Sequence, residues 1–232
     1  MSAFGEPARE DRAPSKLREK AYDSFTRHLL SRDIRAGQFV SQRELVEITG
    51  LPLGAIRELI PRLEAEGLIR TVPQRGMQVT HVDLNLIRDA FQLRLFLECQ
   101  AVAVFAMEAS THTITTLKQR HDSMLARCVA AETAGGIPPS LIAEAQEIDW
   151  DFHATTIDAL GNAIISDAYR VNSIKIRLIR QQQTRLNDGV VIPTMREHLA
   201  VIDAIAARDA DRASDALRRH NLGARDRAIG VR

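Results

Sequence analysis

The feature that most constrains this chain is the stretch Gly50–Val79, GLPLGAIRELIPRLEAEGLIRTVPQRGMQV. Ile56, Leu59, Ile60 and Leu63 recur at helical spacing, with Arg57, Glu58 and Arg62 offset from that stripe. This predicts a helix of about four turns, stopped at Gly67. Beyond Gly67 the period changes. Leu68, Ile69 and Val72 precede Pro73-Gln74-Arg75-Gly76, and Met77 and Val79 alternate after it, the pattern of a two-stranded hairpin. One apolar helix stripe and one hairpin face must therefore share a small core.

Upstream, Leu17, Ala21, Phe25 and Leu29 predict a helix from Lys16 to about Arg32, broken by Ala36-Gly37. Ser41 with Glu44 three residues later is a capping-box pattern, and the helix it opens carries Leu45, Val46 and Ile48 and ends at Gly50. Helix, helix, turn, helix, hairpin is the order of a winged helix-turn-helix, whose last helix enters the DNA major groove while the hairpin touches the neighbouring backbone. On that plan Arg57 reaches guanine O6 and N7. The competing role for Arg57 is a surface ion pair with Glu58 or Glu64. Gly76, at the hairpin tip, leaves room for close approach to the minor groove.

Charge does not decide the matter. The formal net charge is +1, and residues 1–80 hold 13 Lys+Arg against 11 Asp+Glu, so any DNA affinity must come from where the charges sit. A hydrophobic fraction of 45% with only 4% aromatics points to an aliphatic helical protein, and 232 residues suffice for two domains. Residues 1–15 are polar, hold Pro7 and Pro14, and read as a disordered tail. Residues 16–80 form the winged helix-turn-helix. Residues 81–232 read as helix throughout: Asp83 to about Glu108, Thr113–Thr133, Ser140–Leu160, Ala163 to about Leu186, Thr194–Arg208 and Asp211–Ile229. Gly135-Gly136, Gly161-Asn162 and Asn187-Asp188-Gly189 with Pro193 mark the breaks. The fold class is mostly α, with a C-terminal antiparallel bundle of six to seven helices. Cys99 and Cys128 read as reduced core thiols. No apolar leader is present, and no stretch approaches a bilayer-spanning run, so the expectation is a cytoplasmic protein without membrane contact.

Within the bundle, Asp149 and His153 are spaced i, i+4 and share a helix face. His198 and His220 each lie 11 residues from Asp209, the centre of the last turn, which sets them at one height in an antiparallel hairpin. If the helix with Asp149 packs beside that hairpin, three imidazoles and one carboxylate meet. That donor set suits a divalent metal, Zn²⁺ or Ni²⁺, with positions left open. The bland reading is three hydrogen-bonded core histidines. A second metal pattern, His112, His121-Asp122 and Asp149, imitates helical HD-type phosphohydrolases; adjacent residues on a helix diverge by about 100°, which weakens it.

Residues 16–80 resemble the DNA-binding domain of the GntR family of bacterial transcription regulators. The matching pieces are Ala36-Gly37, Ser41-Gln42-Arg43-Glu44-Leu45, Ile56-Arg57-Glu58, the run Arg62 to Ile69, and Arg75-Gly76. The resemblance implies DNA contact by Arg43, Arg57, Arg75 and Gly76. The sequence departs from the family's Ser-Arg-Thr-Pro-like opening with Pro52-Leu53-Gly54-Ala55, and Pro61 is expected to kink the helix at a cost of ~3 kcal/mol. Residues 84–226 resemble the FCD effector-binding domain of the FadR-type branch, through Asp149-x-x-Phe152-His153, Gly161-Asn162, Glu197-His198 and Arg219-His220. That resemblance implies a metal held by Asp149, His153, His198 and His220, a small carboxylic acid effector at the metal, and a homodimer on a palindromic double-stranded operator. Arg94 is expected either to clamp the acid or to pair with Glu98, and Asn162 either to line the pocket or to cap a helix.

Overall fold

The computed structural model describes residues 12–182 and 187–230. It divides after Val82 into two compact units.

The first unit holds α1 (Arg12–Leu30), β1 (Phe39–Val40), α2 (Gln42–Thr49), α3 (Leu53–Ala65), β2 (Ile69–Val72) and β3 (Gly76–Val79). The stripe Ile56, Leu59 and Leu63 packs into a core with Phe25, Leu29, Ile34, Leu45 and Leu68, all fully buried. The capping box forms: Ser41 Oγ accepts from Glu44 N at 3.2 Å, and Glu44 Oε2 accepts from Ser41 N at 2.6 Å. The hairpin β2–β3 pairs Val72 with Gly76 and Ile69 with Val79. The two-residue strand β1, too short to show a period in sequence, pairs with β3 and gives the order β1-β3-β2. One local expectation needs correction. α1 begins at Arg12, so residues 12–15 belong to a helix rather than to the tail; residues 1–11 lie outside the described residues. α3 runs unbroken through Pro61. Pro61 and Arg57, whose carbonyl loses its intrahelical donor, are both exposed, where the loss of one helix hydrogen bond costs least.

The second unit is an antiparallel bundle of α4 (Leu84–Glu108), α5 (Thr111–Thr133), α6 (Pro139–Asp158), α7 (Ala163–Gln182), α8 (Asp188–Ala206) and α9 (Ala210–Ile229). α4 packs chiefly against α9 and also touches α6, α7 and α8; α5 packs on α8. Two apolar clusters fill the bundle. One holds Phe105, Phe152, Ile202 and Leu217; the other holds Met124, Ala145, Ile148 and Met195. On α8, His198 falls between Met195 of one and Val201 of the other; on α6, Asp149 falls between Ile148 and Phe152. A polar layer thus interrupts the core. Cys99 and Cys128 are buried free thiols.

Two sequence expectations fail in this unit. α8 starts at Asp188, not Thr194, with Asn187 as N-cap and Pro193 inside it. Burial of Val191, Ile192 and Met195 outweighs the helix-breaking tendency of Gly189 and Pro193. α4 is, by length and composition, apolar enough to cross a membrane. Its apolarity serves the bundle instead: ten of its residues are buried, including Arg94 and Glu98.

Candidate metal centre and nucleic-acid interface

Asp149 and His153 from α6, His198 from α8 and His220 from α9 converge, all buried, with one ligand atom from each within 4.8 Å of the others. His198 Nε2 lies 3.3 Å from His220 Nε2 and 3.5 Å from Asp149 Oδ1. Four donors at about 2.1 Å from a tetrahedral centre stand roughly 3.4 Å apart, so the spacing suits a transition-metal cation.

Hydrogen bonding behind the cluster fixes which nitrogens face inward. The Leu117 carbonyl only accepts, so His121 Nδ1, 2.8 Å away, is the donor. Burial lowers the pKa of His121 and takes that of His198 well below the usual imidazole value, so both are neutral. His121 Nε2 then accepts from His198 Nδ1 at 3.3 Å, which leaves the lone pair of His198 on Nε2, facing Asp149 and His220. His220 Nδ1 donates to Glu197 Oε2 at 2.7 Å and so also presents Nε2. A lone pair aimed at a carboxylate and a second imidazole nitrogen requires something positive between them, a proton or a metal cation. His153 Nε2 is buried without a partner, and burial, with Arg94 nearby, pushes the His153 pKa down to about 4. A neutral, partnerless imidazole nitrogen inside a protein is a poor structural choice and a good ligand. The four residues therefore fit a divalent metal.

Charged groups that the sequence hid surround the cluster. Arg180 ion-pairs with Asp149, which also accepts from Gln146 Nε2 at 3.1 Å. Burial alone would raise the Asp149 pKa; Arg180 and the neighbouring imidazoles and Arg94 hold it at about 2. Glu98 accepts from Arg94 Nε (2.7 Å), Tyr169 Oη (2.7 Å) and Asn221 Nδ2 (2.9 Å). His153 Nδ1 is 2.9 Å from Glu98 Oε2 but is not aligned as a hydrogen bond, and the neutral ring makes no ion pair there. Arg94 thus pairs with Glu98, while its Nη1 stays buried and unpartnered.

A cavity of about 290 Å³ adjoins the cluster, lined by Arg94, His153, Trp150, Tyr169, Arg177 and Arg180 among others. A larger cavity of about 650 Å³, lined by Phe105, Glu108 and Asp151 among others, touches none of the four cluster residues. Asn162 lines neither cavity. It is exposed and caps α7, its Oδ1 accepting from Ile164 N at 3.1 Å and Ile165 N at 3.2 Å, so of the two roles open to it from sequence the capping one is formed. The HD-type set does not assemble: His112 and Asp122 are exposed, whereas His121 is buried behind His198.

In the first unit, Arg57 and Arg43 are both exposed. Arg57 Nε donates to Gln42 Oε1 at 3.3 Å, and Arg43 pairs with Glu47 at 3.1 Å. Contacts of this kind hold at most ~1 kcal/mol each and release easily. Arg75 lies over the Phe39 ring, 4.2 Å from its centroid. Gly76 has φ +89°, and a Cβ there would meet the Val40 carbonyl at 3.1 Å. The β1–β3 contact alone therefore calls for glycine at this position.

Two family models cover most of the chain: the bacterial regulatory proteins of the gntR family over residues 17–79, and the FCD domain over residues 89–223. The chain belongs to the GntR family and carries an FCD domain. It is a DNA-binding transcriptional regulator rather than an enzyme. It is 25% identical over 204 residues to the HTH-type transcriptional regulator BphR of Paraburkholderia xenovorans, covering 88% of this chain and 82% of that one. It is 25% identical over 185 residues to the Nta operon transcriptional regulator of Aminobacter aminovorans, covering 78% and 80%. A GntR regulator from Rhodococcus sp. RHA1 shares the fold with a TM-score of 0.70 at 18% identity, covering 94% and 99%.

Proposed function

We propose that this regulator senses a small organic acid at a divalent metal held by Asp149, His153, His198 and His220, and that the acid changes its affinity for an operator. The observation that carries the reading is the cluster itself: inward-facing nitrogens, one carboxylate, and a cavity at His153 walled by arginines. A bound Zn²⁺ or Ni²⁺ supplies a Lewis-acid position for a carboxylate oxygen. Arg94, with a spare Nη1, holds the acid's other oxygen. Glu197 orients His220 from behind and His121 does so for His198, while Glu98 places a negative charge beside His153.

On the DNA side, Arg57 reads the major groove, Arg43 and Arg75 hold the backbone, and Gly76 lets the hairpin tip approach. A cytoplasmic homodimer formed through the helical units matches a palindromic operator. Acid binding and DNA binding are coupled through a change between two arrangements of the dimer. The test is a mobility shift with DNA from upstream of the gene. Retardation at low salt that changes with acid in Zn²⁺- or Ni²⁺-loaded protein, and not in His198→Ala, supports the reading. Retardation indifferent to both metal and acid overturns the sensing part.

A further inference from the structure

One of the four guanidiniums that line the cavity beside the cluster has no carboxylate paired with it among the described residues. Of the four arginines that line the cavity, Arg94 is matched by Glu98 and Arg180 by Asp149, and half-buried Arg170 has Asp167 at 3.6 Å. Asp158, also on the lining, accepts from Ser166 Oγ at 2.7 Å. Arg177 makes no hydrogen bond and no ion pair among the described residues. Its guanidinium is stacked on Trp150, 3.9 Å from the ring centroid, which fixes its plane. Burial pulls its pKa down, against the opposing pull of Glu147, Tyr169, Asp149 and Asp151.

Three side chains of the lining, His153 apart, carry a buried polar atom without a partner: Arg94 Nη1, Arg177 Nε and Trp150 Nε1. All three are donors, and two are cationic. A ligand that satisfies this wall accepts hydrogen bonds at two places, one beside His153 and Arg94 and one beside Arg177 and Trp150. We propose that the effector is a short dianion, a dicarboxylic acid, whose second carboxylate binds Arg177. This rests on the reading that a first carboxylate binds at the metal and Arg94. A cavity of about 290 Å³ limits the chain between the two groups to a few atoms.

Trp150 is the only tryptophan in the chain, so intrinsic fluorescence reports directly on this wall. Zn²⁺-loaded full-length protein is titrated with succinate and glutarate, and with butyrate and valerate as monocarboxylates of equal chain length. The diacids are expected to bind at least about tenfold tighter than their partners. In Arg177→Gln that ratio falls to about threefold or less, while butyrate and valerate bind as in the wild type. If Arg177→Gln does not fold, Arg177→Lys carries the comparison: it keeps the charge and loses the planar fork, and the ratio is expected to fall at least about threefold. Equal binding of diacid and monoacid in the wild type, or a ratio that survives substitution, overturns the dianion and leaves the metal-bound carboxylate standing. If no acid binds the loaded protein, both readings fall.

Discussion

Arg180→Ala tests the electrostatics of the cluster. Arg180 is the guanidinium paired with buried Asp149, whose pKa it helps hold at about 2. Without Arg180 and without metal, the carboxylate keeps only Gln146 as a donor. Stranding one partner of a buried pair costs ~3–5 kcal/mol. Asp149 can also escape by protonating, which at pH 7 caps the penalty at about 4 kcal/mol. The expected loss in chelator is therefore about 3 kcal/mol, or roughly 6–12 °C in melting temperature for a domain of this size. With saturating Zn²⁺ the cation replaces the missing charge, and the loss should shrink to about 1 kcal/mol. The assay is thermal unfolding of wild type and variant, each with EDTA and with Zn²⁺. An equal loss in both conditions would refute the claim that metal and guanidinium neutralise the same carboxylate.

Arg57→Ala should weaken operator binding by ~1–3 kcal/mol, measured by fluorescence anisotropy, with an unchanged melting temperature because the side chain is exposed. Gly76→Ala should cost ~1–2 kcal/mol in chemical denaturation, from its φ of +89° and the approach to the Val40 carbonyl. Burial alone would raise the Glu98 pKa, but Arg94 and His153 hold it well below the usual carboxylate value of 4.5. Its contribution to stability is present above pH 4.5 and is lost as the pH falls towards the folded value. Glu98→Gln should therefore flatten the acid side of the stability–pH curve while costing ~3–5 kcal/mol at neutral pH through the stranded Arg94.

The parts of this molecule that were legible in the sequence are those governed by period and spacing. The stripe Ile56, Leu59 and Leu63 and the hairpin after Gly67 follow from local pattern. His198 and His220 could be paired because two antiparallel helices meet at Asp209, and their Nε2 atoms lie 3.3 Å apart. What stayed hidden depends on neighbours far along the chain. Glu98 and Arg94 look like a surface i, i+4 pair until α6, α7 and α9 enclose them. Arg180 is one of several basic residues on α7, and only packing selects it to face Asp149. His121 reads in sequence as part of an HD-type dipeptide with Asp122, yet the Leu117 carbonyl and His198 make it the group that sets a tautomer. Asn187 to Pro193 carry loop chemistry and form a helix because Val191 and Ile192 are needed in the core.

The direct test of the central claim is metal content per chain, measured by mass spectrometry on protein purified without chelator or metal-affinity resin. The account predicts about one equivalent of a divalent transition metal in the wild type, and close to none in His198→Ala or Asp149→Asn. Metal-free wild-type protein that also fails to take up Zn²⁺ or Ni²⁺ on titration would contradict it.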